Sequence, residues 1–456
     1  MSNQCRDSSG SSRRDFLRTS AAAVAGSALA GAMSPRVHAA GSDTIKVALV
    51  GCGARGAGAA VQAISTEGSV KLWAMADAFS DRLEICLRNI EREVARNSMH
   101  EANESVAHRI DVPRERQFIG LDAYRKAIDS GVDVVLLVEP PGFRPKHFEH
   151  AVNSGKHVFM EKPVATDPAG VRRVLAAAEE AKKRNLKVGV GLQRRHQRCY
   201  HDAIQRIRDG AIGELVALQC YWNSAAPAKS PVRRGKLTEL EYQIRNWYFF
   251  SWLSGDHICE QHVHNIDVCN WIKHAHPREA QGLGGRQVRT GKEYGNIFDH
   301  HAVEFTYGDG TKMYSQCRQI PGCWNYVAES AQGTRGTANL YASGAEFRVD
   351  GKRVWRSARD RAQGKRGAYQ AEHDALFDAI RNDRPHNEAE YGALSTMTAI
   401  LGRMATYSGK TVTWDAAFQS SNTITTDAEE WEALAPVLPD EAGRYAVAVP
   451  GVSEVI

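Results

Sequence analysis

The sequence has no apolar run long enough to cross a lipid bilayer, which requires about 20 consecutive apolar residues. It also has no block of lysine and arginine that would form a nucleic-acid-binding stripe. The net charge of +5 is small for a chain of 456 residues. We therefore expect neither a membrane-spanning helix nor a nucleic-acid partner.

Cysteine patterns that indicate a metal or redox centre are also absent. The nine cysteines include no CxxC pair and no zinc-finger spacing, and no HExxH segment occurs. Cys317 and Cys323 are close enough in sequence to bridge a loop in an oxidising compartment. The alternative is that they belong to a set of scattered, half-buried thiols.

The remaining composition is that of an ordinary globular protein. Hydrophobic residues make up 43% of the chain and charged residues 24%, and the sequence contains no internal repeat. A chain of this length is expected to form two domains, each with a sizeable core.

The N-terminal segment has the order of an export signal. An arginine pair lies in Ser12-Arg-Arg-Asp-Phe-Leu-Arg18, an Ala/Gly-rich apolar segment runs from Thr19 to Met33, and Val37-His-Ala39 follows as a possible cleavage site. The pair followed by Phe-Leu looks like the twin-arginine type of signal. We expect cleavage near Ala39, passage through the twin-arginine machinery and a periplasmic location. The alternative is an N-terminal arm in which two arginines occur by chance.

A glycine turn follows the first predicted strand of the mature chain. The segment 44–50 is apolar like a buried parallel strand, and Gly51, Gly53 and Gly56 follow it in GxGxxG spacing before a helix. In that context the glycines allow a tight turn, close approach of a pyrophosphate, and close packing of helix on strand. The turn Gly51–Gly56, with Ala54 and Arg55, therefore predicts a dinucleotide site.

Asp77 ends the second predicted strand, 70–76, and lies 21 residues beyond Gly56. An acid at this distance is placed to bind the adenosine ribose hydroxyls. Its negative charge would repel the additional phosphate of NADP, so we favour NAD while NADP stays open. The alternative role of Asp77 is a turn residue or helix cap at the end of the strand.

Further strands and helices alternate after Asp77. A buried strand over 132–138 ends at Glu139 and Pro140, a helix is predicted over 148–154, and the next strand covers 156–160. This rhythm predicts an α/β fold with a doubly wound parallel sheet. Ligands are then expected at the carboxyl ends of the strands.

Glu161, Lys162 and Pro163 follow the strand 156–160. Here the sequence resembles the Gfo/Idh/MocA family of glucose–fructose and inositol oxidoreductases, and the resemblance extends from about Thr44 to the region of Gly392. It implies an N-terminal Rossmann domain, a C-terminal α+β domain with a large open, mostly antiparallel sheet, and a lysine that transfers a proton beside the nicotinamide. That lysine would be Lys162.

A second motif of the resembled family is an acid and a histidine four residues apart on a helix. The segment from Gly255 to Trp271 matches it with Glu260 and His264, and Asp267 follows. The acid position holds Glu where Asp is usual in the family. One additional methylene moves the carboxylate by about 1.5 Å, which leaves the type of reaction open.

The residues suggest roles for an alcohol oxidation. We predict that His264 accepts the hydroxyl proton, that Lys162 assists electrostatically, and that Glu260 orients the imidazole or binds substrate. The alternative is a helix with ordinary buried or exposed histidines. A metal site is another possible interpretation, but we expect none, because the candidate ligands do not have the spacing of a known metal motif. These candidates are His257, Glu260, His262, His264, His300 and His301.

The rest of the chain is predicted to contain a helix over 167–185, a strand over 187–192 and a series of closely spaced strands between 215 and 341. Their spacing predicts the mostly antiparallel sheet. Plausible sugar contacts are the aromatic and arginine residues Arg195, Trp222, Arg245 and Trp247, although each could instead serve only packing. Cofactor contacts are expected from Gly51, Gly53, Ala54, Arg55, Gly56, Asp77, Glu139, Pro140, Glu161, Lys162 and Gln193.

These observations predict four regions: a signal over 1–39, an NAD-binding domain over 40–163, a substrate domain over 164–420 and a tail over 421–456 without a role beyond packing. The favoured function is an NAD(P)-dependent oxidoreductase of a sugar, polyol or related hydroxy compound. Its cofactor would be tightly bound because an exported enzyme lacks a soluble NAD pool. The alternatives are an NAD-dependent glycoside hydrolase or lyase and a redox-inactive sugar-binding protein. We also expect a homo-oligomer.

Overall fold

The short buried strands from Ile45 onward pair with parallel neighbours, because a helix separates each strand from the next. The computed structural model describes residues 43–100, 106–225, 236–358 and 367–456, so the predicted export signal and its cleavage site lie outside the described residues. The first sheet contains β1 (Ile45–Val50), β2 (Val70–Asp77), β3 (Gln117–Ile119), β4 (Val134–Leu137), β5 (His157–Met160) and β6 (Val188–Val190).

All neighbours in this first sheet are parallel, and their order is β3-β2-β1-β4-β5-β6. The order reverses between β1 and β4, where a crevice opens at the carboxyl ends of the strands. The sequence predicted that the NAD-binding domain ends at residue 163, but the first sheet continues to Val190.

The helices that cover the first sheet are amphipathic or apolar on the side facing the strands. They are α1 (Ala54–Ile64), α2 (Ser80–His100), α3 (Ala123–Ile128), α4 (Arg144–Asn153) and α5 (Pro168–Lys183). Asp167 is the N-cap residue of helix α5. Its side chain accepts a hydrogen bond from the Gly170 backbone amide at 2.7 Å, which stabilises the start of the helix.

In the part of the chain that the structure describes, nine strands form the second sheet, in the order β14-β13-β12-β11-β7-β10-β9-β8-β15. Only the β7–β10 pair is parallel and the other neighbours are antiparallel, which confirms the predicted fold class. The strands are β7 (Leu215–Ser224), β8 (Glu279–Gly285), β9 (His300–Thr306), β10 (Lys312–Gln319), β11 (Tyr326–Gly333), β12 (Gly336–Tyr341), β13 (Gly344–Val349), β14 (Lys352–Arg356) and β15 (Val412–Thr413).

The described residues after Val190 also form the helices α6 (Arg198–Arg208), α7 (Glu239–Arg245), α8 (Ser251–Ser254), α9 (His257–Glu260), α10 (Val263–Lys273), α11 (Gly367–Arg381), α12 (Ala389–Ser408) and α13 (Trp414–Gln419). Helix α11 returns to the first domain and packs on α1, with Leu376 and Phe377 in its core. Helix α12 contacts α5 and β6 as well as β8 and β9, so it joins the two sheets.

Three apolar clusters hold these layers together. One runs through both domains, a second fills the space around β1, α1 and α11, and a third joins Phe79 to the segment around Phe250 and to the C-terminal tail. Among the described residues, no helix combines the length and the apolar character required to cross a membrane. Every cysteine of the described ranges is free, and this includes Cys317 and Cys323.

Candidate active site

The glycine turn lies between the end of β1 and the start of α1, at the reversal of strand order. Gly51 has φ +94°, and a Cβ atom there would lie 2.3 Å from the backbone nitrogen of Glu139. A Cβ on Gly56 would lie 2.1 Å from the carbonyl oxygen of Gly51, whereas one on Gly53 would meet no atom within 4 Å. Two of the glycines are thus required by packing, and the third leaves open space beside the turn.

Helix α1 presents its N-terminus to this open space. No side chain caps Gly53, the N-cap residue, and no acidic residue lies in the first turn. The first amide groups of a helix have no partner within the helix and carry a partial positive charge. The geometry therefore fits a pyrophosphate, which these amides would bind.

The carboxylate of Asp77 is fixed beside the same turn. Its Oδ2 accepts a hydrogen bond from the Cys52 amide at 2.7 Å, and its Oδ1 accepts one from the Phe79 amide at 2.9 Å. Burial raises the pKa of Asp77, and these two hydrogen bonds oppose the shift. Each oxygen keeps a second lone pair, so Asp77 can still accept hydrogen bonds from a ribose.

A cavity of about 570 Å³ extends from the glycine turn to the second domain. Its size is typical of a site for a small molecule or cofactor. Most of the predicted site residues line it: Gly51, Gly53, Ala54, Arg55, Gly56, Asp77, Glu139, Pro140, Glu161, Lys162, Trp222, Arg245, Trp247, Glu260 and His264. The predicted residues Gln193 and Arg195 are not part of this lining.

Lys162 and Glu260 join the two domains at this cavity. The Lys162 ammonium, at the end of β5, donates to the Glu260 carbonyl oxygen at 2.6 Å and to its carboxylate Oε1 at 3.2 Å. Both side chains are largely buried. The predicted orientation of the His264 imidazole by Glu260 is not observed, because the carboxylate is paired with Lys162 instead.

A break between two helices explains how Lys162 reaches a main-chain oxygen. The sequence suggested one continuous helix through Glu260 and His264, but α9 ends at Glu260 and α10 begins at Val263. In a continuous helix the Glu260 carbonyl would accept from the amide of His264. That amide instead bonds weakly to the Gln261 carbonyl oxygen at 3.4 Å, which leaves the Glu260 carbonyl to Lys162.

His264 lies in the first turn of α10 with 5% of its surface exposed. Its Nδ1 atom is buried and has no hydrogen-bond partner among the described residues. Burial lowers the pKa of His264 well below its ordinary value of 6.5, and the positive charge of Lys162 lowers it further. The imidazole is therefore neutral at pH 7 and able to accept a proton. Trp222 stacks beside it, with ring centroids 6.0 Å apart.

Arg195 and Asp267 form a structural pair away from the cavity. The Arg195 guanidinium donates three hydrogen bonds to the Asp267 carboxylate, at 2.8 to 3.1 Å, and stacks on Tyr391 at 3.9 Å. Ser395 also donates to Asp267 at 2.7 Å. The predicted sugar contact by Arg195 is therefore replaced by packing between α10 and α12. Gln193 makes one side-chain contact, with the Tyr369 hydroxyl at 3.3 Å.

Arg55 and Glu161 bind each other rather than presenting their charges to the open space. The Arg55 guanidinium forms an ion pair with Glu161 and donates to Gln62 at 2.8 Å and to Glu372 at 3.4 Å. Burial alone would raise the pKa of Glu161, but Arg55 and Lys162 hold it below its ordinary value. Burial and the nearby charge of Glu161 raise the pKa of Glu372 well above its ordinary value, and the charge of Arg55 opposes that shift.

Glu139 provides the clearest unsatisfied acceptor in the cavity. Its side chain is 6% exposed, and neither carboxylate oxygen accepts a hydrogen bond from the described part of the chain. The closest ionisable groups are His147, whose Nδ1 is 3.3 Å from Oε1, and Arg144, whose Nε is 3.9 Å away. Buried acceptors of this kind require donors, and the hydroxyl groups of a bound ribose would supply them.

The other predicted substrate residues lie at the end of the cavity near Phe79. Arg245 pairs with Asp81 at 3.0 and 3.1 Å and covers the ring of Phe79 at 3.8 Å. Trp247 lines the cavity and also packs in the third apolar cluster. Both residues therefore combine a structural contact with access to the cavity.

The segment before Glu260 is held by a buried acid. Asp256 Oδ1 accepts from the backbone and ring nitrogens of His257, and Oδ2 accepts from the Phe298 amide at 2.9 Å and from the Tyr407 hydroxyl at 2.7 Å. The donor atoms of Asp256, His257 and His301 lie within 4.8 Å of one another, a spacing compatible with a metal. Because hydrogen bonds already satisfy both carboxylate oxygens, we assign this cluster a structural role.

Comparison with known proteins agrees with this geometry. Residues 45–190 match the model of the Gfo/Idh/MocA oxidoreductase family, described as an NAD-binding Rossmann fold. The matched residues contain the first sheet, its covering helices and the glycine turn.

Two curated relatives illustrate the match. An inositol 2-dehydrogenase of Acidothermus cellulolyticus is 30% identical over 160 residues, which cover 35% of this chain and 40% of that protein. A 2,7-anhydro-N-acetylneuraminate hydratase of Escherichia coli is 25% identical over 194 residues, 41% of this chain and 46% of the relative. The match thus spans less than half the length of either relative.

The second domain is matched by fold. A scyllo-inositol dehydrogenase from Lactobacillus casei, solved with NAD(H) and scyllo-inositol, superposes with a TM-score of 0.58 at 19% identity. The superposition covers 82% of this chain and 99% of that one. The arrangement of the two domains is therefore shared with a known dehydrogenase structure.

Several lining residues were not predicted from the sequence. Arg144 and His147 lie in α4, which begins at Arg144 with Pro145 in its first turn rather than at Phe148. Recognising the proline as a helix-start residue would have found them. Tyr369 lies on α11, more than 300 residues from the glycine turn that it faces, and no local pattern indicates that contact.

The glycine turn allows a matched pair of substitutions. Gly53→Ala should leave the free energy of unfolding nearly unchanged but weaken NAD binding at least tenfold, because its Cβ has free space and enters the region of the pyrophosphate. Gly56→Ala should lower the free energy of unfolding by about 2 kcal/mol or more, because its Cβ would overlap the Gly51 carbonyl. Urea unfolding and NAD titration measure both effects. Equal NAD affinity in wild type and Gly53→Ala would contradict the assignment of the turn.

Proposed function

We propose that the whole chain is a Gfo/Idh/MocA-type oxidoreductase that uses NAD to oxidise a hydroxyl group of a sugar, polyol or related compound. The observation that carries this proposal is the cavity itself. It brings the open N-terminus of α1 together with Lys162 and a neutral His264, although these groups come from different domains. A dehydrogenase of alcohols requires this combination of cofactor site and base.

The residues that would hold NAD suit the pyrophosphate and the ribose hydroxyl groups of this cofactor. The amides of the turn around Gly53 suit the pyrophosphate, and Asp77 suits the adenosine ribose. The free oxygens of Glu139 suit a second set of hydroxyl groups. The negative charge of Asp77 favours NAD over NADP, although Arg82 also lines this end of the cavity.

Bound NAD would supply the hydride acceptor, and the protein would manage the hydroxyl proton. His264 is the proposed proton acceptor because its buried imidazole is neutral. The ammonium of Lys162 would bind the substrate oxygen and stabilise the negative charge that develops on it. Glu260 holds this ammonium through its carbonyl and carboxylate oxygens and is therefore a positioning residue.

Aromatic side chains support a carbohydrate-like substrate. Trp222 and Trp247 both line the cavity, and indole faces pack well on the C–H surfaces of sugars and polyols. The inositol dehydrogenases among the similar proteins act on cyclic polyols, as their names state. A polyol or sugar is thus the substrate class that the lining supports best.

Cleavage of a glycosidic bond through transient oxidation is the second candidate. It is favoured by Glu260, a longer acid than the family usually has, and by its pairing with Lys162 rather than with His264. One curated relative is also named as a hydratase rather than as a dehydrogenase. In such a reaction NAD would be restored within each turnover.

We further propose that the protein is exported in folded form by the twin-arginine route to the periplasm and forms a homo-oligomer. The arginine pair before Phe16 supports the route. Export with a cofactor already loaded would require that NAD does not exchange. A resident NAD is therefore part of the proposal.

Lys162→Met tests the assignment. With a panel of inositols, aldoses and aryl glycosides, the variant should lose between about a hundredfold and ten-thousandfold in turnover, because the ammonium is lost while the side-chain stem is kept. Lys183→Met, at a lysine that is 74% exposed on α5, is the control and should behave as wild type. Net nicotinamide reduction supports oxidation, and aryl-group release without net reduction supports cleavage. Full activity of Lys162→Met would refute both.

The pH dependence tests the role of His264. Its pKa is lowered, so the neutral imidazole persists below pH 6.5, and kcat/KM should hold steady as the pH falls from about 8 to about 6. Lys162→Met removes one of the positive charges that lower the pKa of His264. The acid limb of the kcat/KM profile, measured on the residual activity of this variant, should therefore move to higher pH. A wild-type acid limb centred near pH 6.5 would contradict the proposal.

A further inference from the structure

The tail after Ser420 has few periodic apolar residues, yet the structure gives it specific contacts. It is anchored first at Asp167, which is 1% exposed. The Oδ2 atom of this acid accepts hydrogen bonds from the Thr423 hydroxyl at 2.9 Å, the Ile424 amide at 3.0 Å and the Thr425 hydroxyl at 3.3 Å. The start of the tail is thus fixed to the helix that follows Lys162 in the chain.

A second anchor lies behind a wall of the cavity. The Glu429 carboxylate accepts hydrogen bonds from Arg125 at 2.7 Å and from the Tyr124 hydroxyl at 3.1 Å, and pairs with Lys146 at 2.8 Å. Contact with Lys146 lowers the pKa of Glu429 to about 2. Tyr124 itself lines the cavity, so Glu429 holds that wall from outside.

A third anchor is aromatic. Trp431 packs on Phe79 with ring centroids 5.2 Å apart, while Arg245 covers Phe79 at 3.8 Å. Phe79 and Arg245 both line the cavity, one from each domain. Trp431 therefore braces the place where the NAD-binding domain meets the second domain.

The tail then continues onto the second domain. The side chain of Gln243, on α7, donates to the Val437 carbonyl oxygen, and Tyr445 packs on Phe250 with centroids 4.9 Å apart. The tail consequently spans from Asp167 in the first domain to α7 in the second. Along this path it contacts walls of the cavity without entering it.

From these contacts we infer that residues 421–445 act as a strap that slows release of the bound dinucleotide. The inference rests on the proposed function, because it concerns NAD in this cavity. A dinucleotide can leave only if the walls around Phe79 and Tyr124 move apart. The strap holds both walls and ties them to the second domain, so its anchors oppose that movement.

The test uses full-length protein with two strap variants, Trp431→Ala and Glu429→Gln. Two neighbouring substitutions at exposed tail positions serve as matched controls, Glu430→Gln and Leu434→Ala, where Leu434 is 79% exposed. Each protein is produced in cells supplied with an isotopically labelled NAD precursor, so that its resident NAD carries the label, and is then chased with excess unlabelled NAD. The release of label over time gives the dissociation rate constant, and thermal unfolding of the nucleotide-free proteins records stability separately.

We expect each strap variant to release NAD about threefold to tenfold faster than wild type, with the controls unchanged. Glu429→Gln keeps an acceptor oxygen at the anchor, so its faster release should come with at most a small decrease in the unfolding midpoint, whereas a merely structural role would lower the midpoint without changing release. If wild type retains NAD and both strap variants release it at the wild-type rate, the strap is refuted while the proposed function stands. If wild type carries no NAD when purified and binds none when NAD is supplied, the proposed function fails and the strap with it.

Discussion

The site depends on the contact between the Lys162 ammonium and the two oxygens of Glu260. A largely buried ammonium is costly unless partners replace its hydration, and Glu260 provides both a carbonyl and a carboxylate oxygen. The partners come from opposite sides of the cavity, so the contact fixes the two domains relative to each other. It also places a positive charge close enough to His264 to help to keep the imidazole neutral.

This contact exists because a helix is interrupted. Two residues separate the end of α9 at Glu260 from the start of α10 at Val263. The interruption frees the Glu260 carbonyl, and the buried hydrogen bonds of Asp256 hold the segment in front of it. The break in backbone hydrogen bonding thus provides the acceptor that holds Lys162.

The features that followed from the sequence are those with local causes. The strands around the glycine turn, Asp77 at the end of β2 and the closely spaced later strands all have short-range patterns, and the fold class was predicted correctly from them. Arg195 was misplaced because its pairing with Asp267 joins segments 72 residues apart. Glu260 and His264 were put on one helix because periodicity alone does not reveal an interruption.

The contacts of the C-terminal tail, residues 421–456, also could not be predicted from local sequence patterns. Its few apolar residues lack a period, because they fit an existing surface rather than forming a helix or strand face. Their contacts depend on partners such as Phe79 and Tyr124, which lie more than 300 residues earlier in the chain. Segments of this kind can be understood only once the surface that they cover is known.

The central claim is that the cavity between the glycine turn and Lys162 holds a resident nicotinamide dinucleotide. Mass spectrometry of the small molecules released when purified full-length protein is denatured tests this most directly. The account predicts NAD in an amount close to one per chain, without any added during purification. Protein that releases no nucleotide, and that binds none when NAD is supplied, would contradict it.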